Sequence, residues 1–439
     1  MPSAVPITKE ITIREFGLLH RGGEIEDIDE ASIPVSDWEW LRGESLGATD
    51  GPDFLRPLHR RGQQCLQAQN YVGSVETPSG LRIEILPKIT EHGGDHQYSR
   101  KILLKMLRKV LRLKMASWQV GHLEVFDQPL HEILIEFFLS EVEKLVKKGL
   151  RKQYVRLTDE QPFLKGRLLI EKQLNRRPGS KPEFSIEYDE FLLNRPENRL
   201  IRSAVEVVTQ WARDGRNQRR ARTLRFLLND IPPSGDFARD FAQWSHDRGL
   251  ADYRMVKPWC ELILSRQTPH TLAGSSFGMS FLFPMEQLFE KYVETVLHTR
   301  LAGGCRLVAQ AKRHSLVHHR DEKWFWLRPD LLVETQRENL AVLDTKWKRI
   351  DAGLDDARSK YGLSESDFYQ MAAYGNSYLG GKGDLFLVFP RWSAFREPLK
   401  PFELTDDLRL WVVPFCLEDD HLILPADAGN TWLLPEASL

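Results

Sequence analysis

The stretch WFWLRPDLLVETQRENLAVLDTKWK, residues 324–348, constrains this chain more than any other. Two short apolar runs follow one another as neighbouring strands of a sheet would, and each carries an acid: Asp330 in the first, Asp344 in the second, with Lys346 two positions on. Every charge taken out of water has a desolvation cost, so an apolar strand that keeps one calls for a reason. Strand side chains alternate faces, which points Asp344 and Lys346 the same way and Thr345 the opposite way. If the strand carrying Asp330 pairs with the second run, both carboxylates meet at one edge of the sheet.

The surrounding pattern extends this into a domain. From about residue 271 a loop-like segment leads to MEQLFEKYVETVLHTRL, a helix beginning directly after Pro284. Three strand candidates follow, CRLVAQAKRH, WFWLRPDLLVE and NLAVLDTKWK, then a helix, SESDFYQMAAYGNSYL, and a further strand, GDLFLVFP. Helices flanking strands in this order predict a mixed α/β layer. Upstream, residues 1–115 read as a β-rich module, with Leu81, Ile83 and Ile85 on one strand face after a TPSG turn. It ends in a basic amphipathic helix, KILLKMLRKVLRLK, expected to dock on the module rather than on a membrane. Residues 116–270 read as mostly helical: LHEILIEFFLSEVEKLVKKGL stops at Gly149, and ENRLIRSAVEVVTQWARDGRNQRRARTLRFLL supplies two more helices. The arginines of this last stretch, from Arg213 to Arg225, read as a solvated helix face. The expected fold class is therefore multi-domain α/β (α+β), with residues 271–439 carrying the chemistry.

Composition closes off other classes. A chain of 439 residues is long enough for two or three self-sufficient cores. A net charge of -1 excludes a histone-like binder, so any nucleic-acid contact must come from local basic patches. Cys65, Cys260, Cys305 and Cys416 lie far apart without a CxxC pair, which leaves no zinc knuckle or disulfide framework to propose. The opening residues lack the apolar core of a signal peptide, and no apolar run is long enough to span a bilayer, so a cytoplasmic location without membrane contact is expected.

Two carboxylates at one sheet edge repel unless a cation sits between them, and a hard divalent ion with oxygen ligands is the natural neutraliser. Mg²⁺ is the expected ion, with Mn²⁺ as a substitute; it would polarise a phosphoryl oxygen and acidify a water, with Lys346 steadying negative charge beside it. Those parts hydrolyse phosphodiesters. Pro329-Asp330, a gap, then Asp344-Thr345-Lys346 spells the PD-(D/E)xK signature of a nuclease superfamily. Glu290, on the preceding helix, stands where many of these nucleases carry another acid and is the third expected metal ligand; Glu286, one turn earlier, competes for that role. Gln370 and Tyr374 form a QxxxY pattern on one helix face, the first expected to orient the lysine or contact DNA, the second to pack with its hydroxyl bonded or to take part in catalysis. His314, His318 and His319 read as surface histidines, because alternation separates the last two and no acidic or Cys partner stands near.

Longer stretches widen the likeness. NYVGSVETPSGLRIEILPKI, KKGLRKQYVRL, KGRLLIEKQLNR, YDEFLLNRPENRLIRSAV and FGMSFLFPMEQLFEKYV run in order through the chain, which resembles the McrC family, the nuclease subunits of McrBC-type modification-dependent restriction systems. That resemblance implies a cleavage centre at Asp330, Asp344 and Lys346 with Mg²⁺. It also implies a hexameric McrB-like AAA+ GTPase partner that binds the GTP, with the N-terminal module engaging its central channel. The expected substrate is double-stranded, methylated or otherwise modified DNA, cut with the help of a second copy of the nuclease. This chain has no GxxxxGK[ST] phosphate loop, in keeping with nucleotide binding by the partner. The alternatives are an adaptor that activates the motor without cutting, and a stand-alone DNA-processing nuclease.

Overall fold

A computed structural model describes residues 10–47, 54–60, 62–89, 96–111, 129–175, 183–245, 248–264, 279–425, 427–428 and 432–434. The Pro-Gly-Ser loop at 178–180 and most of the loop-like segment from residue 271 lie outside them. The fold is mixed α/β in two compact units. One holds the described residues up to Ser74, from Ser79 to Asp127 and from Leu282 onward; the other holds Val75–Pro78 and Gln128–Phe281. The N-terminal strands and the C-terminal sheet thus share a unit.

In that unit, Glu10–Arg14 pairs in parallel with Arg82–Leu86, setting Ile11 against Ile83 and Ile13 against Ile85. The half-buried alternation expected for Leu81, Ile83 and Ile85 is replaced by burial of all five residues Arg82–Leu86. Glu84 tolerates this because Arg100 Nε donates to it at 2.7 Å and Thr12 Oγ1 at 3.1 Å. Helix His96–Val110 buries Ile102, Leu103, Leu104, Met106 and Leu107, while Lys105 Nζ donates to the Leu417 carbonyl at 2.9 Å and Lys109 Nζ to Asp420 at 2.7 Å. Lys105 and Lys109 are thus engaged within the unit, while the end of the expected helix at 112–114 lies outside the described residues; among the described residues no helix is long and apolar enough to cross a membrane.

The C-terminal sheet has the strand order Arg306–Ala309, Leu331–Glu334, Asn339–Thr345, Gly383–Pro390, Leu408–Cys416, Phe402–Thr405, with His421–Leu422 also pairing with Leu408–Cys416. Asn339–Thr345, Gly383–Pro390 and Leu408–Cys416 run parallel; the remaining pairings are antiparallel. One face packs Leu332, Val342, Leu385 and Leu410 against Met371, Tyr374 and Tyr378 of helix Glu365–Tyr378. On the other, Phe289 and Tyr292 of helix Met285–His298 meet Phe415 edge-on at 6.1 and 5.9 Å.

Two expected strands are each broken in two. WFWLRPDLLVE gives Glu322–Leu327, which pairs only with His314–His319 in a separate hairpin, and Leu331–Glu334, which joins the main sheet. Asp330 therefore sits just before a strand, not within one: Pro329 has no N–H to extend a ladder. CRLVAQAKRH breaks at Gln310, whose φ of 49° leaves extended geometry.

The second unit carries helices Leu130–Lys148, Pro196–Trp211 and Gly215–Leu227, among others, and an antiparallel sheet of Gln153–Gln161, Phe184–Leu192 and Arg167–Leu168. Gly149, at φ 92°, ends the first helix. The arginine-rich stretch is exposed or ion-paired, Arg220 with Glu143 at 2.7 Å and Arg225 with Glu206 at 3.5 Å.

Gly375 sets how closely helix Glu365–Tyr378 approaches the sheet, since a Cβ there would lie 2.6 Å from Leu408 Cδ2 and 3.0 Å from Leu385 Cδ1. Gly375→Ala is expected to lower stability by roughly 1–3 kcal/mol, as over-packing does, read from urea unfolding; an unchanged midpoint would show that the helix can lift at no cost.

Candidate active site

Asp344 is the last residue but one of its strand and 2 % exposed. Lys346 Nζ lies 2.7 Å from its Oδ2 and 3.6 Å from Asp367, and donates to Gln370 Oε1 at 3.2 Å. Strand parity brings this about: Val342, two residues back, faces helix Glu365–Tyr378, so Asp344 and then Lys346 turn to the same helix. Gln370 Nε2 donates onward to Tyr374 Oη at 2.7 Å, and Tyr374 donates to the Arg328 carbonyl at 2.9 Å. The i, i+4 pair is thus a relay that fixes the lysine's acceptor and ties it to the residue before Pro329-Asp330.

Asp330 is held from the other side. Its Oδ2 accepts from both the backbone N–H and the hydroxyl of Thr345, each at 2.8 Å, and its Oδ1 accepts from Gln310 Nε2 at 3.1 Å. The same Gln310 amide donates to Glu290 Oε1 at 2.8 Å. Glu290 therefore joins the site through a glutamine that no sequence motif singles out. Glu286 is exposed and bonded to Asn70 at 3.1 Å, away from this network. Asp367, also unremarked in the sequence, adds a further carboxylate beside the lysine.

The electrostatics follow from these positions. Burial, reinforced by the negative charge of Asp330, pushes the Asp344 carboxyl up to about 7, and Lys346 only partly counters it. For Lys346, burial works downward, but Asp344 more than offsets it and the ammonium is held above its ordinary range. Burial and Asp330 raise Glu290 against the Gln310 hydrogen bond. Burial raises Tyr374 to about 12, so its hydroxyl keeps its proton.

Glu290, Asp330 and Asp344 do not close to within 4.8 Å of one another as a set; among the described residues Cys416, Asp419 and His421 do. Arg391 Nη1 lies 3.6 Å from the Cys416 sulfur, and the Cys416 thiol donates to Asp419 at 3.3 Å. His314, His318 and His319 are exposed, as expected, on the separate hairpin.

A family model for the McrBC 5-methylcytosine restriction system component matches residues 66–390. The chain belongs to that family. A solved half-complex from the tetradecameric assembly of Thermococcus gammatolerans McrB AAA+ hexamers with bound McrC holds a chain 17 % identical to this family member, with a TM-score of 0.63 over 95 % of this chain and 97 % of that one. A cryo-EM structure of the Thermococcus gammatolerans McrBC complex gives 19 % identity over 66 % of this chain and 87 % of that one, at a TM-score of 0.46. A search of curated proteins gave no match. At such identities the first likeness carries the fold of this McrBC-family chain, and its chemistry rests on the residues above.

The end of the Asp344 strand is anchored from below. Trp347 Nε1 donates to Glu15 Oε2 at 2.9 Å, Phe289 packs on the indole at 5.2 Å, and Glu15 Oε1 is buried without a hydrogen bond. Burial raises the Glu15 carboxyl to about 7 from 4.5, against Lys88 and the Trp347 bond. A raised folded-state value means that the stabilising proton is fully present below the unfolded value and lost as pH rises through about 7. Glu15 is expected to account for up to ~3 kcal/mol of a fall in stability between about pH 5 and pH 8, to which Asp344, raised to a similar value, adds in the same direction; Glu15→Gln should make the slope shallower in urea titrations, and an equal slope in the variant would assign it to other groups.

Proposed function

We propose that this chain is the DNA-cutting subunit of a GTP-driven, modification-dependent restriction complex: an Mg²⁺-dependent endodeoxyribonuclease with a PD-(D/E)xK core that also stimulates the NTPase of an AAA+ partner. The observation that carries this reading is the meeting of Asp344, Lys346 and Gln370 at one sheet rim, with Asp330 fastened to Thr345 and, through Gln310, to Glu290.

In donor chemistry the residues suit a magnesium ion, and the three carboxylates would have to draw together around it. Glu290, Asp330 and Asp344 offer only oxygens, the donors a hard cation prefers, and Asp344 Oδ2 is buried with no hydrogen bond among the described residues beyond its ion pair with Lys346. Bound among them, the ion supplies Lewis acidity toward a phosphoryl oxygen. Lys346 stays an ammonium, so it steadies negative charge gathering on the scissile phosphate rather than taking a proton. Gln370 aims that ammonium, and Tyr374 aims Gln370. Thr345 and Gln310 hold Asp330 in place before any substrate arrives, which spares the site that ordering cost during the reaction.

For the motor, the McrB-bound relative supports a hexameric AAA+ partner. The N-terminal module is one surface for it. The Gln153–Leu192 region is favoured by a specific observation: Tyr154, Phe163, Leu164, Leu174 and Phe191 are each more than half exposed, an apolar surface that a partner would cover.

The test is plasmid cleavage with the AAA+ subunit, scanning Mg²⁺, Mn²⁺, GTP, ATP and DNA methylation. Asp344→Ala is expected to abolish cutting and spare GTPase stimulation, and Lys346→Ala to slow cutting roughly 10²–10³-fold, the usual loss of a transition-state charge partner. Stimulation without cutting by the unaltered chain would leave only the adaptor role, and cutting without any partner would make it a stand-alone nuclease. Tyr154→Asp with Phe191→Asp should eliminate stimulation while the chain stays folded; full stimulation would return the docking role to residues 1–115.

A further inference from the structure

The hairpin formed by His314–His319 and Glu322–Leu327 belongs to no layer of the fold. It pairs with no strand of the main sheet, and all its residues but Ser315 and Leu327 are exposed. Trp324, Phe325 and Trp326 stand in succession at 44 %, 67 % and 39 % exposure. An isolated two-stranded ribbon is marginal in water, and three consecutive exposed aromatics are a costly way to fill one unless something else covers them.

Its base, by contrast, is fixed. Tyr378 Oη bonds the Ala311 carbonyl at 2.6 Å and the Leu327 carbonyl at 2.9 Å, and receives the Arg313 N–H at 3.3 Å, so one side chain clamps both feet. That tyrosine lies on the helix that carries Gln370 and Tyr374. The outgoing strand ends at Leu327, three residues before Asp330, and Tyr374 holds the intervening Arg328 carbonyl. The base of the ribbon is therefore tied to the rim that carries Asp330 and Asp344.

The charge is local and distinct from the chain as a whole. Residues 312–328 carry Lys312, Arg320, Lys323 and Arg328 against Asp321 and Glu322, besides three histidines and Arg313, which is paired with Glu334 at 2.5 Å, in a chain of net charge -1. Lys312 and Lys323 hold their ammonium groups 4.7 and 5.6 Å from the Trp326 ring centre, and His319 meets Trp324 edge-on at 5.0 Å. Arg320 and Asp321, at φ 50° and 62°, make the tight tip that a two-residue hairpin turn requires. Cations interleaved with aromatic side chains suit a polyanion that also offers apolar base edges and sugars, and a two-stranded ribbon has the width of the DNA major groove.

We propose that the His314–Leu327 hairpin is a DNA-gripping ribbon: it enters a groove of the duplex beside the cut site, its aromatics against bases and sugars and its basic groups against phosphates. The inference rests on the nuclease reading for its location, and its test does not require cutting. Binding of the full chain to a fluorescein-labelled duplex is measured in EDTA over a range of salt. Trp324→Ala with Phe325→Ala is expected to weaken binding roughly tenfold, as truncation of aromatic anchors packed on base edges and sugars does. Arg320→Ala with Lys323→Ala is expected to lower the slope of log K against log salt by about two. Both pairs are exposed, so circular dichroism and melting should match the parent. Parent-like DNA binding in both variants, or no duplex binding by the parent, overturns the ribbon; if such variants instead lose self-association or GTPase stimulation, the hairpin is a protein contact and the proposal is equally overturned. Variants that bind as the parent while the parent cuts would remove the ribbon and leave the nuclease reading standing. Variants that lose binding while the parent never cuts with Mg²⁺ would do the reverse.

Discussion

The rest of the structure is organised around one ion pair, Asp344 with Lys346, held 2.7 Å apart at the rim of the C-terminal sheet. A carboxylate this deeply buried is tolerated only with a cation nearby, and a single lysine does not compensate it fully: the acid stays at the border of neutrality. The groups around it read as answers to that shortage. Gln370 and Asp367 keep the ammonium in place, while Asp330, whose charge worsens the problem, is turned toward Thr345 and Gln310. A site that is electrostatically incomplete by itself is suited to receiving a cation, and with it an anionic substrate.

The frame that holds this pair draws on distant parts of the chain. Trp347, next to the lysine, is bonded to Glu15 from the first described strand region, and helix His96–Val110 is pinned by Lys105 and Lys109 to the turn at 417–420. Residues near both ends of the sequence thereby stiffen the strand end on which the acids sit. This explains why the N-terminal strands and the C-terminal sheet cluster as one compact unit while the helical region stands as another.

Membership of the McrBC family, together with a fold kept over nearly the whole chain at 17 % identity, shows how little of the sequence such an architecture demands. Apolar alternation can be met by many residues; a carboxylate under a lysine cannot. Exposed features divide along the same line. Helix His96–Val110 places Lys105 and Lys109 on Asp420 and the Leu417 carbonyl, whereas the aromatic hairpin and the apolar side chains of the Gln153–Leu192 region have no partner layer within their own sheets.

The sequence by itself determined what depends on neighbours a few residues apart. Pro284 and Gly149 marked helix ends because each acts on its own backbone, and the two-residue spacing of Asp344 and Lys346 settled which way both point, since strand parity is local. Gln370 and Tyr374 were legible as one helix face for the same reason. Only the tertiary structure decided the rest. It set Asp330 before its strand rather than in it and split off the hairpin. It chose Glu290 over Glu286 as the acid connected to Asp330, and it brought in Gln310 and Glu15, whose partners lie 20 and 332 residues away. No periodicity encodes a contact between residues so far apart in the chain; it exists only once packing has closed the loops between them, which is where the specific geometry of this site was settled.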